Sequence, residues 1–476
     1  MRTAVEWTSA AERARIIDAA LGLLERVGMR FGRGDALVAL AAAGARVDEA
    51  AGVARLPRAL VQRTLAGCPR EIVLGGATPA DDCLLTPGVP HYVNSGSPTS
   101  ILDVGSGERR AAVADDLRAA TIVLDQMPSV SILWALVSST DLMPARTCLE
   151  ELAIMFALSG KHVQHEVEGR WQVEPIRRMA EAAGGDLRTR PRISLVCCTA
   201  SPLHAHTELL DASTDLAALG VPVAIYPMPI AGATAPLTPA GAATMTVAEF
   251  LGAMTAVQLR APGAPLIMAV GTGLLDMRQT TYCFGALEAG LATAIAVEVG
   301  HELGVPCLAA GLSTDAKHPG AQAAYEKALK GFAVSSTRPD LMTGTGMLQA
   351  AGLACLPQIV IDDEIQQMIL RLLAGAEVSE ETVMAATMER LGFAGQYLLE
   401  KDTRRRLRAG EVFLPRVSDR QSYEHWRAGG GDEVAAAEQR VRDILAAAPE
   451  REPRLDDDQL AELESCVAAA AAAAPA

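Results

Sequence analysis

Val305-Pro-Cys-Leu-Ala-Ala-Gly-Leu-Ser-Thr-Asp-Ala-Lys-His-Pro-Gly-Ala-Gln-Ala-Ala-Tyr-Glu-Lys327 is the stretch on which the fold of this chain turns. Its continuous apolar run, Val305 to Ala310, predicts a strand buried on both faces, and Gly311 ends it. Ser313, Thr314, Asp315, Lys317 and His318 follow, and a helix-like run opens at Gln322. Polar groups crowded just past the carboxyl end of a buried strand are where an α/β barrel gathers its chemistry. The same residues also read as an ordinary strand–helix loop with a cap at Asp315, so the rest of the chain decides.

Seven further short apolar runs share the pattern: His91–Asn94, Val130–Val137, Lys161–His165, Ile193–Cys198, Val221–Tyr226, Pro265–Val270 and Asp340–Thr343. Helical stretches lie between them. Eight strand–helix units over about 250 residues predict a TIM (β/α)8 barrel with N-terminal and C-terminal helical additions. A doubly wound open sheet is the alternative, but no Gly-x-Gly-x-x-Gly follows a first strand. Residues 1–85 read as a helical layer. In it Ser9 caps a helix carrying Ile16, Ala20, Leu23, Leu24 and Val27 at helical spacing, and Asp35–Ala43 and Pro57–Leu65 form two more helices. Residues 86–375 hold the barrel. Residues 376–476 form a helical extension: a helix over Glu380–Leu391, an irregular segment Gly395–Trp426, helices near 432–447 and 457–475, and an alanine-rich tail expected to fray.

The chain has 476 residues, half of them hydrophobic, with a formal net charge of -15. That excess of acid argues against a nucleic-acid partner. The amino terminus, Met1–Trp7, has no apolar segment behind it, and the Ser129–Val137 run is too short to span a membrane. A cytoplasmic protein that forms a homo-oligomer is expected. Nine cysteines without a paired pattern read as buried thiols. There is no Gly-x-x-x-x-Gly-Lys-Ser/Thr, His-Glu-x-x-His or Gly-x-Ser-x-Gly. His204 and His206 lack a nearby third ligand and read as loop residues, so no metal site is expected. The pattern leaves a barrel pocket with a carboxylate, some hydroxyls and Met228, and little acid–base equipment. Such a pocket suits chemistry supplied by a cofactor.

The chain resembles the trimethylamine methyltransferase family, in its branch lacking pyrrolysine, typified by glycine betaine methyltransferases. The resemblance rests on Glu25-Arg-Val-Gly-Met-Arg-Phe31, Gly44-Ala-Arg-Val-Asp48, Asp103-Val-Gly-Ser-Gly-Glu-Arg-Arg110 and Pro227-Met-Pro-Ile-Ala-Gly-Ala-Thr-Ala-Pro236. Thr314-Asp-Ala-Lys317, Gln322-Ala-Ala-Tyr-Glu-Lys327, Gly346-Met-Leu348, Ile361-Asp-Asp-Glu364 and Ser418-Asp-Arg420 complete it.

The resemblance implies a methyltransferase that moves a methyl group from an amine to the Co(I) corrinoid, or cobalamin, of a separate carrier protein, with no tightly bound cofactor of its own. Every residue here is standard, and a quaternary amine already has a neutral leaving group. A quaternary, glycine betaine-like amine is therefore the expected substrate. The same fold acting on a sulfonium, an N-methyl heterocycle or a tertiary amine, or a non-catalytic small-cation binding protein, are the alternatives. Asp315 is the expected catalytic residue, balancing the cationic charge. Tyr92, Met228, Asp276, Arg278, Phe284, Lys317, Thr345 and Leu353 are the expected substrate contacts, with Lys317 and Arg278 anchoring a substrate carboxylate. Trp134 and Tyr226 are further candidate aromatic faces. Gly232, Thr234, Gly271 and Gly311 are expected to meet the corrinoid. Leu353–Gln358 departs from the family's pattern and is expected to line the substrate pocket.

Overall fold

The computed structural model describes residues 5–86, 90–103, 105–448 and 454–473. Each of the eight apolar runs contains a barrel strand: β1 (His91–Asn94), β2 (Val130–Trp134), β3 (His162–His165), β4 (Ile193–Ala200), β5 (Val223–Tyr226), β6 (Leu266–Val270), β7 (Cys307–Ala310) and β8 (Leu341–Thr345). Every neighbouring pair is parallel, and β8 returns to β1, so the barrel closes. Strands buried on both faces have no polar side to alternate, which is why the runs are continuous.

Helices α4 (Ala114–Asp125), α5 (Thr147–Leu158), α6 (Val173–Ala182), α7 (Thr207–Ala218), α8 (Pro239–Arg260), α9 (Leu287–Leu303), α10 (Ala321–Ser335) and α11 (Leu356–Ala374) each follow one strand. Before them come α1 (Ala10–Arg26), α2 (Asp35–Ala42) and α3 (Arg58–Leu65), all packed on α8. The contact is close: a Cβ on Gly252 of α8 would sit 3.2 Å from Leu24 Cδ2 of α1. Helix α8 is long and apolar enough to cross a membrane, but its apolar faces are consumed by this packing.

The first 85 residues are not purely helical. Met29–Arg30, Arg46–Asp48 and Val53–Arg55 form short strands, and Met29–Arg30 also pairs with His204–Ala205 beyond β4. At the other end, the helix expected over Glu380–Leu391 breaks at Met384, whose φ is +59°. The segment 395–426 contains a helix at Lys401–Arg408 and exposes Leu398 and Leu399. Helices Glu433–Ala446 and Asp457–Ala473 pack back on the barrel helices, and Ala470 of the alanine-rich tail is buried.

Two charged residues lie at the heart of the α10–α11 seam. Lys327 Nζ is 2.6 Å from Asp362 Oδ2, and both side chains are completely buried. Lys327 also donates to the Gly344 carbonyl at 3.0 Å, while Asp362 accepts from the Gly346 backbone at 2.8 Å and from Gln358 at 2.8 Å. Burial works against both charges, so the pair persists through these extra hydrogen bonds. Glu364, two residues on, accepts the backbone N–H groups of Arg416, Val417 and Ser418 and pins the returning chain to α11.

Removing one partner leaves the other charge buried and alone. Asp362→Leu is expected to lower stability by about 3–5 kcal/mol in urea unfolding, and adding Lys327→Met is expected to recover most of the loss.

Candidate active site

The carboxyl ends of β1, β7 and β8 enclose a small cavity of about 10 Å3, room for about one water molecule, lined by Ser95, Phe284, Ala310, Leu312, Ser313, Thr314, Thr343, Gly344, Met347 and Ala351. That is far below the roughly 300–1,000 Å3 of drug-sized ligand sites, so a ligand must push these walls apart to enter. No charged side chain is among these lining residues. Ser313 Oγ is buried without a hydrogen-bond partner, and Thr343 Oγ1 donates to the Asn94 carbonyl at 3.0 Å. A larger cleft lies at the amino-terminal face, around Pro222, Arg260 and Pro265. That is the end of a barrel that serves stability rather than chemistry.

Phe284 is held from several directions. Asp315 Oδ1 accepts the Phe284 N–H at 2.7 Å, and Oδ2 accepts the Gly285 N–H at 3.1 Å. Lys330 Nζ donates to the Phe284 carbonyl at 2.5 Å and lies 4.4 Å from the centre of its ring. Glu326 accepts from Thr314 Oγ1 at 2.6 Å and from the Asp315 N–H at 2.8 Å, fixing the loop that carries Asp315. A Cβ at Gly285 would lie 2.7 Å from Glu326 Oε2, so only glycine fits there. Burial pulls the Lys330 ammonium down to about 7, against the pull of Asp315 and Glu326.

A second network holds Trp134. Its indole donates to Glu166 Oε2 at 3.2 Å, and Glu166 Oε2 is 3.0 Å from His165 Nδ1. His165 Nε2 is 3.0 Å from Glu151 Oε2, which is buried in turn. Burial alone would lower the His165 pKa, but Cys148 and the two carboxylates raise it well above the usual imidazole value. Trp134 faces Tyr226 with ring centres 6.4 Å apart, and Tyr282 faces Phe284 at 5.6 Å.

The profile of the trimethylamine methyltransferase (MTTB) family matches residues 2–475. The chain belongs to the trimethylamine methyltransferase family. It is 30% identical to trimethylamine methyltransferase MttB of Desulfitobacterium hafniense (strain DSM 10664 / DCB-2), over 86% of this chain and 83% of that protein. It is 24% identical to glycine betaine methyltransferase of Desulfitobacterium hafniense (strain Y51), with 93% of both covered. Among solved structures, the Methanosarcina barkeri monomethylamine methyltransferase (MtmB) superposes with a TM-score of 0.54 at 11% identity, covering 92% of this chain and 89% of that one. The hydroxylamine complex of MtmB gives 0.55, with the same identity and coverage. These two structures share the fold.

Within this methyltransferase fold, Phe284 lines the cavity and Asp315 lies directly behind it. Other expected contacts lie elsewhere. Tyr92 is fully buried and its hydroxyl reaches Ser335 at the end of α10, so it belongs to the strand–helix layer. Thr345 Oγ1 accepts from Gln366 of α11 at 2.5 Å, again away from the cavity. Asp276 accepts the Arg278 and Gln279 N–H groups and closes a hairpin turn, while the Arg278 side chain is 90% exposed. Lys317 is exposed and its Nζ folds back onto the Asp315 carbonyl. Met228 is exposed at the mouth. Leu353 packs with Leu102, Leu348 and Cys355 in a satellite cluster, and Met347 and Ala351 form the cavity wall that Leu353–Gln358 was expected to supply.

The glycines expected to meet a corrinoid are used by packing. A Cβ at Gly271 would lie 2.7 Å from the Tyr226 ring, and one at Gly311 would strike Met342. Gly232 has φ +87°, and Thr234 Oγ1 accepts the Ile230 N–H at 2.8 Å in the same turn. The sequence reading missed Glu326 and Lys330 as site residues. Both lie on α10 with Lys327, at positions that only the folded helix turns toward the β6 and β7 loops.

The Lys330 shift has a measurable sign. Between pH 7 and its ordinary value near 10.5, the unfolded chain binds more proton at Lys330 than the folded chain does. Its contribution to stability therefore rises with pH through that window. Wild type is expected to gain stability relative to Lys330→Met as pH rises from 7 to 10 in paired urea titrations.

Proposed function

We propose that the protein transfers a methyl group from a small quaternary ammonium compound to the Co(I) corrinoid of a separate carrier protein in the cytoplasm. The observation that carries this reading is the lining of the small cavity under Phe284, an aromatic face, hydroxyls and backbone with no charged side chain, which must widen to admit the cation. A quaternary ammonium donates no hydrogen bond, so it needs only π faces, oxygen lone pairs and a negative field. Asp315 and Glu326 supply that field from behind the Phe284 loop, where Lys330 Nζ, 4.4 Å from the ring centre and pulled down to about 7, offsets only part of it at neutral pH. The relative named as a glycine betaine methyltransferase supports the substrate class.

The corrinoid, brought by its carrier, supplies the nucleophile. The departing amine is neutral and needs no acid. What remains for this chain is to hold the cation still, aim one methyl outward and exclude competing groups. The loops at the carboxyl ends of the strands leave Met143, Met228, Leu237, Met277 and Tyr325 exposed around the mouth. An apolar rim of this kind suits a docking protein better than open solvent. Gly232 stands beside Met277 and Leu237 in that rim, so it would meet the carrier as part of a turn.

The test is consumption of cob(I)alamin by the full chain in the presence of glycine betaine, carnitine, choline, proline betaine, trimethylamine or a sulfonium. Turnover with a quaternary amine is the expected outcome; turnover with only the sulfonium or the tertiary amine contradicts the proposal. Phe284→Ala is expected to lower kcat/KM by about tenfold, the equivalent of a roughly 1–2 kcal/mol cation–π contact. Asp315→Asn removes the charge and leaves one oxygen for the Phe284 loop, its amide NH2 replacing the acceptor of the Gly285 N–H. Full activity in that variant assigns the charge no role, and a loss of turnover assigns Asp315 to the site through its charge or its Gly285 contact.

A further inference from the structure

We infer a divalent transition-metal site at the amino-terminal face of the barrel, formed by His301, Cys307 and Asp340. The topology brings the three together. His301 is in the last turn of α9, which runs back toward that face; Cys307 opens β7; Asp340 immediately precedes β8. One ligand atom from each, an imidazole nitrogen, the thiol sulfur and a carboxylate oxygen, lies within 4.8 Å of the other two.

Two features separate this cluster from an ordinary ion pair. Asp340 is 1% exposed, yet its Oδ1 has no hydrogen-bond partner. His301 Nε2 also lacks one, with Asp340 Oδ2 no closer than 3.5 Å. A buried carboxylate oxygen left unsatisfied is costly and calls for an ion or another polar partner. The carboxylate is already oriented: its Oδ2 accepts the Cys307 N–H at 2.7 Å, the kind of support that steadies a metal ligand.

The donor set selects the ion. One imidazole, one thiolate and one carboxylate suit Zn2+ or Co2+, whereas Mg2+ and Ca2+ want oxygen ligands. Zinc bond lengths of about 2.0–2.3 Å place tetrahedral ligand atoms roughly 3.5 Å apart; His301 Nε2 and Asp340 Oδ2 already stand 3.5 Å apart, and all three ligand atoms lie within 4.8 Å of one another. His301 also lines a surface cleft together with Glu298, Glu302 and Arg338, which provides an entry path from solvent. The site is at the opposite end of the barrel from the Phe284 cavity. A metal there ties α9, β7 and β8 together and takes no part in methyl transfer.

The experiment uses the full chain after treatment with a chelator, titrated with Co2+ and, separately, with Zn2+. Co2+ is expected to bind with one equivalent per chain and to produce a thiolate-to-cobalt charge-transfer absorption, and Zn2+ is expected to raise Tm. Cys307→Ser is expected to lose the absorption. His301→Ala, at a partly exposed position that the fold tolerates, is expected to lose the Zn2+-dependent rise in Tm. No stoichiometric binding to wild type, or a Tm rise that survives in His301→Ala, overturns the proposal. Neither readout depends on which amine the protein demethylates.

Discussion

The buried contact between Lys327 and Asp362 is the constraint on which the mouth of the barrel depends. A lysine and an aspartate with no exposure must satisfy each other and every remaining hydrogen-bonding site nearby. They do so by taking the Gly344 carbonyl and the Gly346 N–H, so the pair fixes the path of the loop after β8. Gly344, near the end of β8, and Met347 of that loop are part of the cavity wall. Stability and the backbone of one cavity wall are thus tied to the same interaction.

Helix α10 extends the same logic to the neighbouring loops. Glu326 ties down Thr314 and Asp315, and Lys330 takes the carbonyl of Phe284. One helix therefore holds the loops after β6, β7 and β8 through three charged side chains. These bonds fix the backbone of the three loops, so widening the Phe284 cavity for a ligand falls to side chains such as Met347 and Leu312. The His165 network performs a similar task for Trp134 across the mouth, with Glu151 and Glu166 on either side of the imidazole.

The barrel was legible because strands buried on both faces print continuous apolar runs, and eight of them recur along the chain. The same continuity hid which face each side chain takes. Tyr92 lies on a strand as expected, and Thr345, read as lying just past the last run, in fact ends β8; both turn toward the outer helices rather than the cavity. The short strands at Met29–Arg30 and Arg46–Asp48 carry too few residues for a period to show. The motif Gln322–Lys327 was legible as part of a resemblance, yet its purpose was not. Glu326 and Lys327 act on Thr314, Asp315 and Asp362, and those contacts exist only once α10 packs against α11. Asp315 was expected at the site from its place after a buried strand, while its bonds to Phe284 and Gly285, 31 and 30 residues away, required the fold.

The central claim is that the cavity beneath Phe284 receives a quaternary ammonium. A crystal structure with tetramethylammonium at saturating concentration tests it most directly. The account predicts the cation between Phe284 and Ser313, with its nitrogen within about 6 Å of the ring centre. A cation found only at the amino-terminal cleft, or an unliganded cavity in a crystal that binds the cation elsewhere, would contradict it.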